Sequence, residues 1–310
     1  MLTKKCVHSI LWLCLLAVSP IFGQQRTADF ALVGPVENVQ SVTIALNVGK
    51  TAASGFLDSQ NFDSIYWQFD RQRNLIVQEN FLDYRGKLGI FDRTIYQINP
   101  QNQLEKSETT LIQNDEEPRK IAQRKTYYYL GNRLIRMDEF NAGRNADQYW
   151  VTNSVYDAKG LKKKVFWMED EIFSYTDFTL DHFQHPWQEL TYANNEQLTH
   201  QKVYENNRLG LPLRIRYGHP QKMNVEKLSY GTKYLVEKQV YDEAGVLIRT
   251  EQYGAQGQIE EIHQLNYNTR QTDVYRFEFQ KDAMNNWIFC EISKNGQPRY
   301  VIKRKIKYFK

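Results

Sequence analysis

The chain has 310 residues and a formal net charge of +4, a length that allows one large domain or two small ones. Loss of Lys4 and Lys5 with an N-terminal signal lowers this charge to +2. A nearly neutral mature chain does not have the charge balance of a nucleic-acid-binding protein. The 20 tyrosines and 16 phenylalanines favour β-strands, which are enriched in aromatic residues.

The first residues have the pattern of a secretory signal peptide. Lys4 and Lys5 precede an apolar run at residues 10–18, and Gly23 follows a Ser19-Pro20 break, so we expect cleavage after Gly23. The apolar run is shorter than the roughly 18 to 20 residues of a membrane-spanning helix; an uncleaved anchor is the alternative. We therefore expect an exported chain that is periplasmic, cell-surface or secreted and does not span a membrane after signal cleavage.

Cysteine usage predicts a fold without disulfides. Cys6 and Cys14 lie in the signal segment, which leaves Cys290 alone in the mature chain. A single thiol cannot form an internal disulfide. Beside the apolar Phe289, Cys290 is expected to be a small buried hydrophobic residue; a reactive nucleophile is the alternative.

Short repeats bounded by aromatic residues run through most of the chain. In the clearest copy, Tyr241 begins a Tyr-Asp-Glu-Ala-Gly-Val-Leu stretch, and the next unit begins 12 residues later at Tyr253. The same spacing separates Tyr84 from Tyr96, Tyr192 from Tyr204, and Tyr267 from Phe279. Recurrence at one spacing predicts a repeat architecture rather than a chance turn.

Each unit is expected to be half of one β-hairpin and half of the next. An aromatic residue closes a strand, a polar stretch turns the chain, and a glycine or asparagine takes the left-handed backbone conformation that a tight turn needs. We assign this turn role to Gly86, Gly131, Gly160, Gly245 and Gly257, with Asn74 and Asn102 as substitutes. The fold class predicted is therefore all-β, an elongated antiparallel β-meander of short hairpin repeats.

Strand alternation after each turn predicts two mixed faces. Leu247, Arg249, Glu251 and Tyr253 share one face at period two, so a charged centre lies between apolar and aromatic residues. This pattern suits a thin open sheet or β-coil that is wet on both sides. We expect neighbouring strands to pair arginine with acidic residues, each pair contributing roughly 0.2 to 1 kcal/mol.

The last strand is expected to have one lysine-rich face. Lys303, Lys305 and Lys307 alternate with Arg304 and Ile306. Period-two alternation places the three lysines in solvent.

The repeat units resemble the YD repeats of RHS-type proteins. Tyr156-Asp157-x-x-Gly160 and Tyr241-Asp242-x-x-Gly245 carry the resemblance, and residues 32–39 and 285–288 are similar to segments of secreted YD-repeat-like proteins of the Bacteroidota type. In large RHS proteins such repeats build a hollow β-shell around a toxin; this chain is too short for that shell, so the resemblance implies the repeat architecture alone. The structural repeat residues assigned are Tyr156, Asp157, Gly160, Tyr241, Asp242, Gly245, Leu247, Tyr253 and Gly257.

Domain organisation is expected to be simple. Residues 47–63, 114–118 and 141–147 read as loops, and none has the composition of a linker. We predict a signal peptide at residues 1–23 and a single YD-repeat-like β domain at residues 24–310.

No pattern in the sequence predicts catalysis, a cofactor or a metal site. His182 and His185 are three residues apart, a spacing that puts two strand side chains on opposite faces. The acidic run at residues 169–171 lies near Trp167, which a sugar-cleaving site could use, but consecutive acids are more typical of a turn. Phosphate-loop, dinucleotide and serine-hydrolase motifs are absent from the sequence.

Tryptophans on the sheet are the candidate binding residues. A thin sheet leaves aromatic rings exposed to stack on sugars or hold a peptide, and we assign this role to Trp67, Trp150, Trp167 and Trp187. The function expected is a non-enzymatic exported cell-envelope protein, its sheet a scaffold or binding surface for a protein or glycan partner. A secreted hydrolase of polysaccharide or cell wall is the alternative. An outer-membrane barrel is disfavoured because charges fall on both strand faces.

Overall fold

The computed structural model describes residues 32–45, 64–84, 87–112, 120–142, 149–158, 160–168, 170–183, 185–232 and 234–310. The predicted signal peptide, nearly all of the loops predicted at 47–63, 114–118 and 141–147, and Gly86 lie outside these residues. Within the described residues the chain forms strands joined by turns, and no helix is long and apolar enough to cross a membrane.

Twenty strands follow one another along the described chain. They are β1 (Val36–Ala45), β2 (Ser64–Phe69), β3 (Leu75–Tyr84), β4 (Lys87–Ile98), β5 (Leu104–Leu111), β6 (Lys120–Leu130), β7 (Arg133–Ala142), β8 (Tyr149–Asp157), β9 (Gly160–Met168), β10 (Glu171–Leu180), β11 (Pro186–Ala193), β12 (Leu198–Asn206), β13 (Pro212–His219), β14 (Lys222–Tyr230), β15 (Leu235–Tyr241), β16 (Leu247–Tyr253), β17 (Ile259–Asn266), β18 (Gln271–Lys281), β19 (Trp287–Lys294) and β20 (Gln297–Tyr308). The predicted all-β class is confirmed.

Strand pairing closes the sheet. Each strand is hydrogen-bonded to the next along the chain, and β1 also pairs antiparallel with β20 over a register that runs from Val36 opposite Tyr308 to Ala45 opposite Tyr300. The predicted open sheet or coil is therefore wrong: the strands form a closed 20-stranded antiparallel barrel topology. Local periodicity indicates which consecutive strands pair, but the β1–β20 contact joins residues about 270 positions apart, which no local pattern shows.

The closed sheet also overturns the expectation that the mature chain does not span a membrane. That expectation rested on the short apolar run at residues 10–18 and on charges that fall on both faces of the strands. A closed antiparallel sheet with an even number of strands leaves no unpaired edge and is the topology with which β-proteins cross a bilayer.

The described chain divides into two compact units. The first comprises residues up to 127 together with 279–291 and 299–310, and the second comprises 128–278 with 292–298. The core of the first unit is built from Leu32, Val36, Val39, Trp67, Phe69 and Leu75. In the second unit, Ile215, Val240, Ile262 and Tyr275 are buried on the strands.

A five-residue turn recurs between strands. The N–H of its first residue donates to the carbonyl of its fifth residue, and the N–H of its fourth residue donates to the carbonyl of its first. The turn occurs at residues 70–74, 99–103, 193–197, 207–211, 242–246, 254–258 and 282–286. In the copy that begins at Asp242, the carboxylate also accepts the N–H groups of Ala244 and Val246, at 3.0 and 2.9 Å. This is a type I turn followed by a left-handed residue. The aspartate of the Tyr-Asp motif therefore acts on the backbone of its own turn.

The left-handed positions were mostly predicted correctly. Gly131, Gly160, Gly245, Gly257 and Asn102 all have positive φ. Asn74 was assigned wrongly: the left-handed residue of that turn is Arg73, with φ 71°. The turn is counted from Asp70, so Arg73 takes the fourth position, and Asn74 is instead buried, with its side chain bonded to Asp70 and Asn102.

The two closest matches to the YD motif form different turns. Tyr241-Asp242-x-x-Gly245 makes the five-residue turn described above, with φ 78° at Gly245. Asp157 instead pairs directly with Gly160, so two residues lie between them. One local motif therefore specifies a turn without specifying its length.

Gly245→Ala is expected to destabilise the second unit by about 1 to 2 kcal/mol, because a side chain in the left-handed conformation brings Cβ close to the following carbonyl. Apart from Gly245 and its two chain neighbours, no heavy atom lies within 4 Å of the position that this Cβ would occupy, so the loss would come from the local backbone alone. Gly245→Asn should cost less, since Asn102 and Asn285 occupy the same turn position. Thermal melting of both variants tests this, and equal losses would contradict it.

Charged residues pair both across and along the strands. Glu79 lies opposite Arg93, with 2.6 Å between Arg93 Nε and Glu79 Oε1, and Glu108 lies opposite Arg124. These contacts confirm the predicted cross-strand pairing. Arg249 instead bonds Glu251 on its own strand, with 2.5 Å from Nε to Oε1.

The last strand has the predicted alternation. Lys303, Lys305 and Lys307 are exposed, while Arg304 and Ile306 are half-buried. Lys307 reaches Glu37 of β1, with 2.7 Å from Nζ to Oε1. The lysine face is therefore in solvent, next to the β1–β20 pairing.

A buried carboxyl lies between β3 and β4 in the first unit. Asp92 is 7% exposed and accepts a 2.7 Å hydrogen bond from Asn80 Nδ2. Burial raises the pKa of Asp92 above its usual value of 3.8 and outweighs that hydrogen bond. The folded chain therefore holds this proton more tightly than the unfolded chain does.

Asp92→Asn is consequently expected to stabilise the protein at neutral pH, because the buried charge is removed. Because the pKa of Asp92 is raised in the folded chain, its protonated form contributes its full stabilisation at pH values below the pKa of an ordinary aspartate. That contribution is lost as the pH rises through the raised pKa. The gain from Asp92→Asn should thus shrink as pH falls toward about 4. Melting temperatures of both proteins across this range measure it, and a gain that grows at low pH would contradict the assignment.

Candidate functional site

A shallow groove on the second unit joins aromatic and polar side chains. It is lined by Tyr149, Val151 and Asn153 of β8, Trp167 of β9 and Asp170 of the β9–β10 turn, and it encloses about 210 Å³. Tyr149 and Trp167 supply its aromatic surface, and Asn153 and Asp170 supply its amide and carboxylate.

Strand alternation and register bring these residues together. Tyr149, Val151 and Asn153 are two residues apart on β8 and share one face. Val151 pairs with Trp167 across the β8–β9 ladder. Trp150 lies between Tyr149 and Val151 in the strand, so its side chain is on the opposite face, where it pairs with Met168.

The rim of the groove is fixed by the turn that follows β9. Asp170 adopts a left-handed conformation, with φ 68°, which aspartate and asparagine tolerate better than most residues. Its Oδ1 accepts a 2.8 Å hydrogen bond from the Tyr149 hydroxyl. Phe140 stacks on Tyr149 with the ring centroids 5.9 Å apart. The Tyr149 ring is thus held by a stacking partner and a hydrogen bond before any ligand arrives.

Polar contacts also hold the floor of the groove. Asn153 Nδ2 donates to Asp138 Oδ1 at 2.8 Å, and Arg136 Nε donates to the same oxygen at 2.7 Å. Asp138 is therefore charge-compensated, and its contact orients the amide of Asn153.

Beyond Trp167 the same face carries a packed aromatic pair. Tyr175 stacks on Tyr192 with centroids 5.1 Å apart, and Lys163 Nζ lies 4.3 Å from the centre of the Tyr175 ring. The Tyr175 ring therefore already has a stacking partner and a neighbouring cation.

The four tryptophans predicted as binding residues lie in different surroundings. Trp67 is 6% exposed in the core of the first unit, where the Arg304 guanidinium lies 5.7 Å from its ring centre. Trp150 is half-buried on the face opposite the groove, Trp167 lines the groove, and Trp187 is 50% exposed at the start of β11. The structure does not bring them together as a group, and their binding role stays a prediction.

Of the five residues that line the groove, sequence reasoning named Trp167 as a binding residue and missed the other four. Asp170 lay within the acidic run noted beside Trp167, so that run was the available signal. Tyr149 was passed over beside Trp150, although alternation alone puts Tyr149 on the face of Val151. Recognising it required the β8–β9 register, which depends on pairing rather than on composition.

The histidines and the cysteine considered in the sequence analysis lie in settings that suit structural roles. His182 and His185 lie in the turn after β10, where the Asp181 carboxylate accepts the His185 N–H at 2.9 Å. Across the described ranges no group of three or more histidine, cysteine or acidic side chains could hold a metal ion. Cys290 is buried, and burial raises its pKa to about 12, which disfavours the nucleophilic thiolate.

Comparison with known proteins gives no family assignment. No family model matches the chain, and no curated protein matches it. Among solved structures, a porin-like protein from Bacteroides uniformis is 8% identical with a TM-score of 0.37, over 89% of this chain and 98% of that one. A porin-like protein from Bacteroides vulgatus is 10% identical with a TM-score of 0.24, over 88% and 98%.

A structure of the Photorhabdus luminescens Tc holotoxin pore is also similar, at 13% identity and a TM-score of 0.22. The match covers 77% of this chain but 19% of that one. These TM-scores are too low for any property of those proteins to be transferred to this chain.

Proposed function

We propose that this chain is an exported, non-enzymatic cell-envelope protein whose sheet binds glycan through the groove at Tyr149 and Trp167. The observation that supports the proposal is the combination of two aromatic rings with an amide and a carboxylate around one small concavity. Aromatic rings stack on the apolar faces of sugar rings, while polar groups at the edge bond the hydroxyls.

The non-enzymatic part of the proposal is supported by how the nearby carboxylates are engaged. Asp138 is held by Arg136 and Asn153, and Asp170 accepts the Tyr149 hydroxyl. A glycosidase needs one carboxyl to act as an acid and a second to act as nucleophile or base across the scissile bond. Asp138 is tied to an arginine, which suits a structural role rather than a catalytic one.

Binding of purified protein to a panel of cell-wall and capsular oligosaccharides tests the function. Trp167→Ala is expected to lower affinity about fivefold or more, since an aromatic contact contributes roughly 1 kcal/mol or more. Trp187→Ala is the matched control, because Trp187 is an exposed tryptophan outside the groove. Equal losses in the two variants would contradict the groove, and reproducible release of sugar would contradict the non-enzymatic role.

Localisation is tested separately by cell fractionation. We expect the mature chain in the envelope fractions. Recovery in the cytoplasm would contradict export.

A further inference from the structure

The rim of the groove carries exposed negative charge. Asp170 and the adjacent Glu171 are both exposed. Within the described part of the chain neither carboxylate forms an ion pair, whereas Asp138 at the floor is paired with Arg136. The open side of the groove therefore favours a positively charged ligand group and repels an anionic sugar.

The aromatic surface of the groove favours the same charge. The faces of tryptophan and tyrosine rings attract cations, and tryptophan is the strongest of the aromatic side chains in this respect. Trp167 and Tyr149 both line the groove, and Asp170 contacts Tyr149 directly. A cation there would meet ring faces and a carboxylate together.

The size of the groove limits the ligand to about one ring. Its volume of about 210 Å³ is below the roughly 300 to 1,000 Å³ of pockets for drug-sized molecules. On the side of β10, the Tyr175 ring already stacks on Tyr192 and has Lys163 beside it. The groove thus suits a single sugar unit rather than a long run of stacked rings.

We propose that the groove recognises an amino-sugar unit whose primary amine is free and protonated. The inference rests on the proposed function, that the groove binds glycan, and adds the ligand class. The ring stacks against Trp167 and Tyr149, and the ammonium group lies toward Asp170. An acetylated amine would keep the stacking and lose the charge.

Short oligomers of β-1,4-linked glucosamine and their N-acetylated counterparts provide a matched pair of probes. Titration calorimetry at neutral pH should show about tenfold tighter binding of the free-amine oligomer, as expected for an added ammonium–carboxylate and cation–π contact. The difference should shrink at high salt, because exposed charges are screened. Equal affinity for the two oligomers would overturn the amine assignment while leaving glycan binding intact, and binding of neither oligomer would overturn it as well.

Two conservative variants identify the groups responsible. Asp170→Asn should bring the ratio of the two affinities close to one; asparagine tolerates the left-handed conformation at this position, so folding should be preserved. Tyr149→Phe keeps the ring and loses the hydroxyl contact to Asp170. An Asp170→Asn variant that retains the full preference would overturn the proposal. Equally tight binding of oligolysine would overturn it in favour of a general cation site.

Discussion

Replacing Asn286 with valine is expected to lower the melting temperature by roughly 5 to 10 °C, which corresponds to about 3 kcal/mol in a chain of this size. Asn286 is 1% exposed and joins the segment before β1 to the turn before β19. Its Oδ1 accepts the Val33 N–H at 2.6 Å, and its Nδ2 donates to the Val33 carbonyl at 2.8 Å and to the Tyr308 hydroxyl at 2.7 Å. Valine would leave the Val33 N–H and carbonyl without this partner, while the Tyr308 hydroxyl would keep its hydrogen bond to Asp282.

The turn itself should survive this substitution. In the turn at 242–246, Val246 takes the position that Asn286 takes at 282–286. Asn286→Val therefore removes the contacts to Val33 and Tyr308 while keeping a side chain that this turn accepts elsewhere.

Hydrogen exchange provides the specific readout for Asn286→Val. Amides of β1 and β20 should exchange faster, because the lost contacts hold the beginning of β1 beside the end of β20. Asn206→Val is the control: Asn206 Nδ2 also donates to a distant backbone group, the Pro186 carbonyl, at 2.6 Å, but this bond is exposed, so its loss should cost about 1 kcal/mol. A melting temperature unchanged by Asn286→Val would show that these bonds do not hold the sheet closed.

Reversing the charge of Arg249 is expected to cost about 3 to 5 kcal/mol, the range for breaking a buried ion pair. The side chains of Arg249 and Glu251 are 11% and 2% exposed, and Tyr253 also donates its hydroxyl to Glu251. Arg249→Glu would place a second carboxylate beside Glu251 in this buried setting. The unfolding midpoint in urea measures the loss.

Adding Glu251→Arg to Arg249→Glu should restore part of the lost stability. Restoration should be incomplete because position 251 faces Lys238 on β15, so an arginine there meets a like charge. The pair Arg276 and Glu261 is the control, since the Arg276 side chain is 65% exposed and exposed pairs contribute about 1 kcal/mol or less. Absence of coupling between the two changes in the double mutant would show that the pair does not contribute as a unit.

Local features of this fold were readable from the sequence. The turn at Asp242 and Gly245 follows from residue types that favour one backbone conformation, and the alternating lysines of β20 follow from period two. Arg73 shows the limit: an arginine takes the left-handed position because its place in the turn, counted from Asp70, requires it. Residue type indicated Asn74 instead.

Long-range features were not readable in the same way. Pairing of β1 with β20 closes the sheet, yet the sequence of neither strand indicates that it pairs with the other. The groove depends on register too: Trp167 was recognised by type, whereas Tyr149 joins it because Val151 pairs with Trp167. Burial of Trp67 likewise depends on Val39 and Phe69 packing around it, which composition does not reveal.

Closure by β1 and β20 has a kinetic consequence. Most strand pairs form between neighbours in the chain, so their loops are short and inexpensive to close. The β1–β20 pairing, the seam of the sheet, joins segments about 270 residues apart. The entropic cost of closing a loop grows with its length. Hairpins can therefore form progressively, whereas the seam must wait for both ends of the sheet. Until then two unpaired strand edges remain exposed, and we expect this late intermediate to be the species most prone to aggregation.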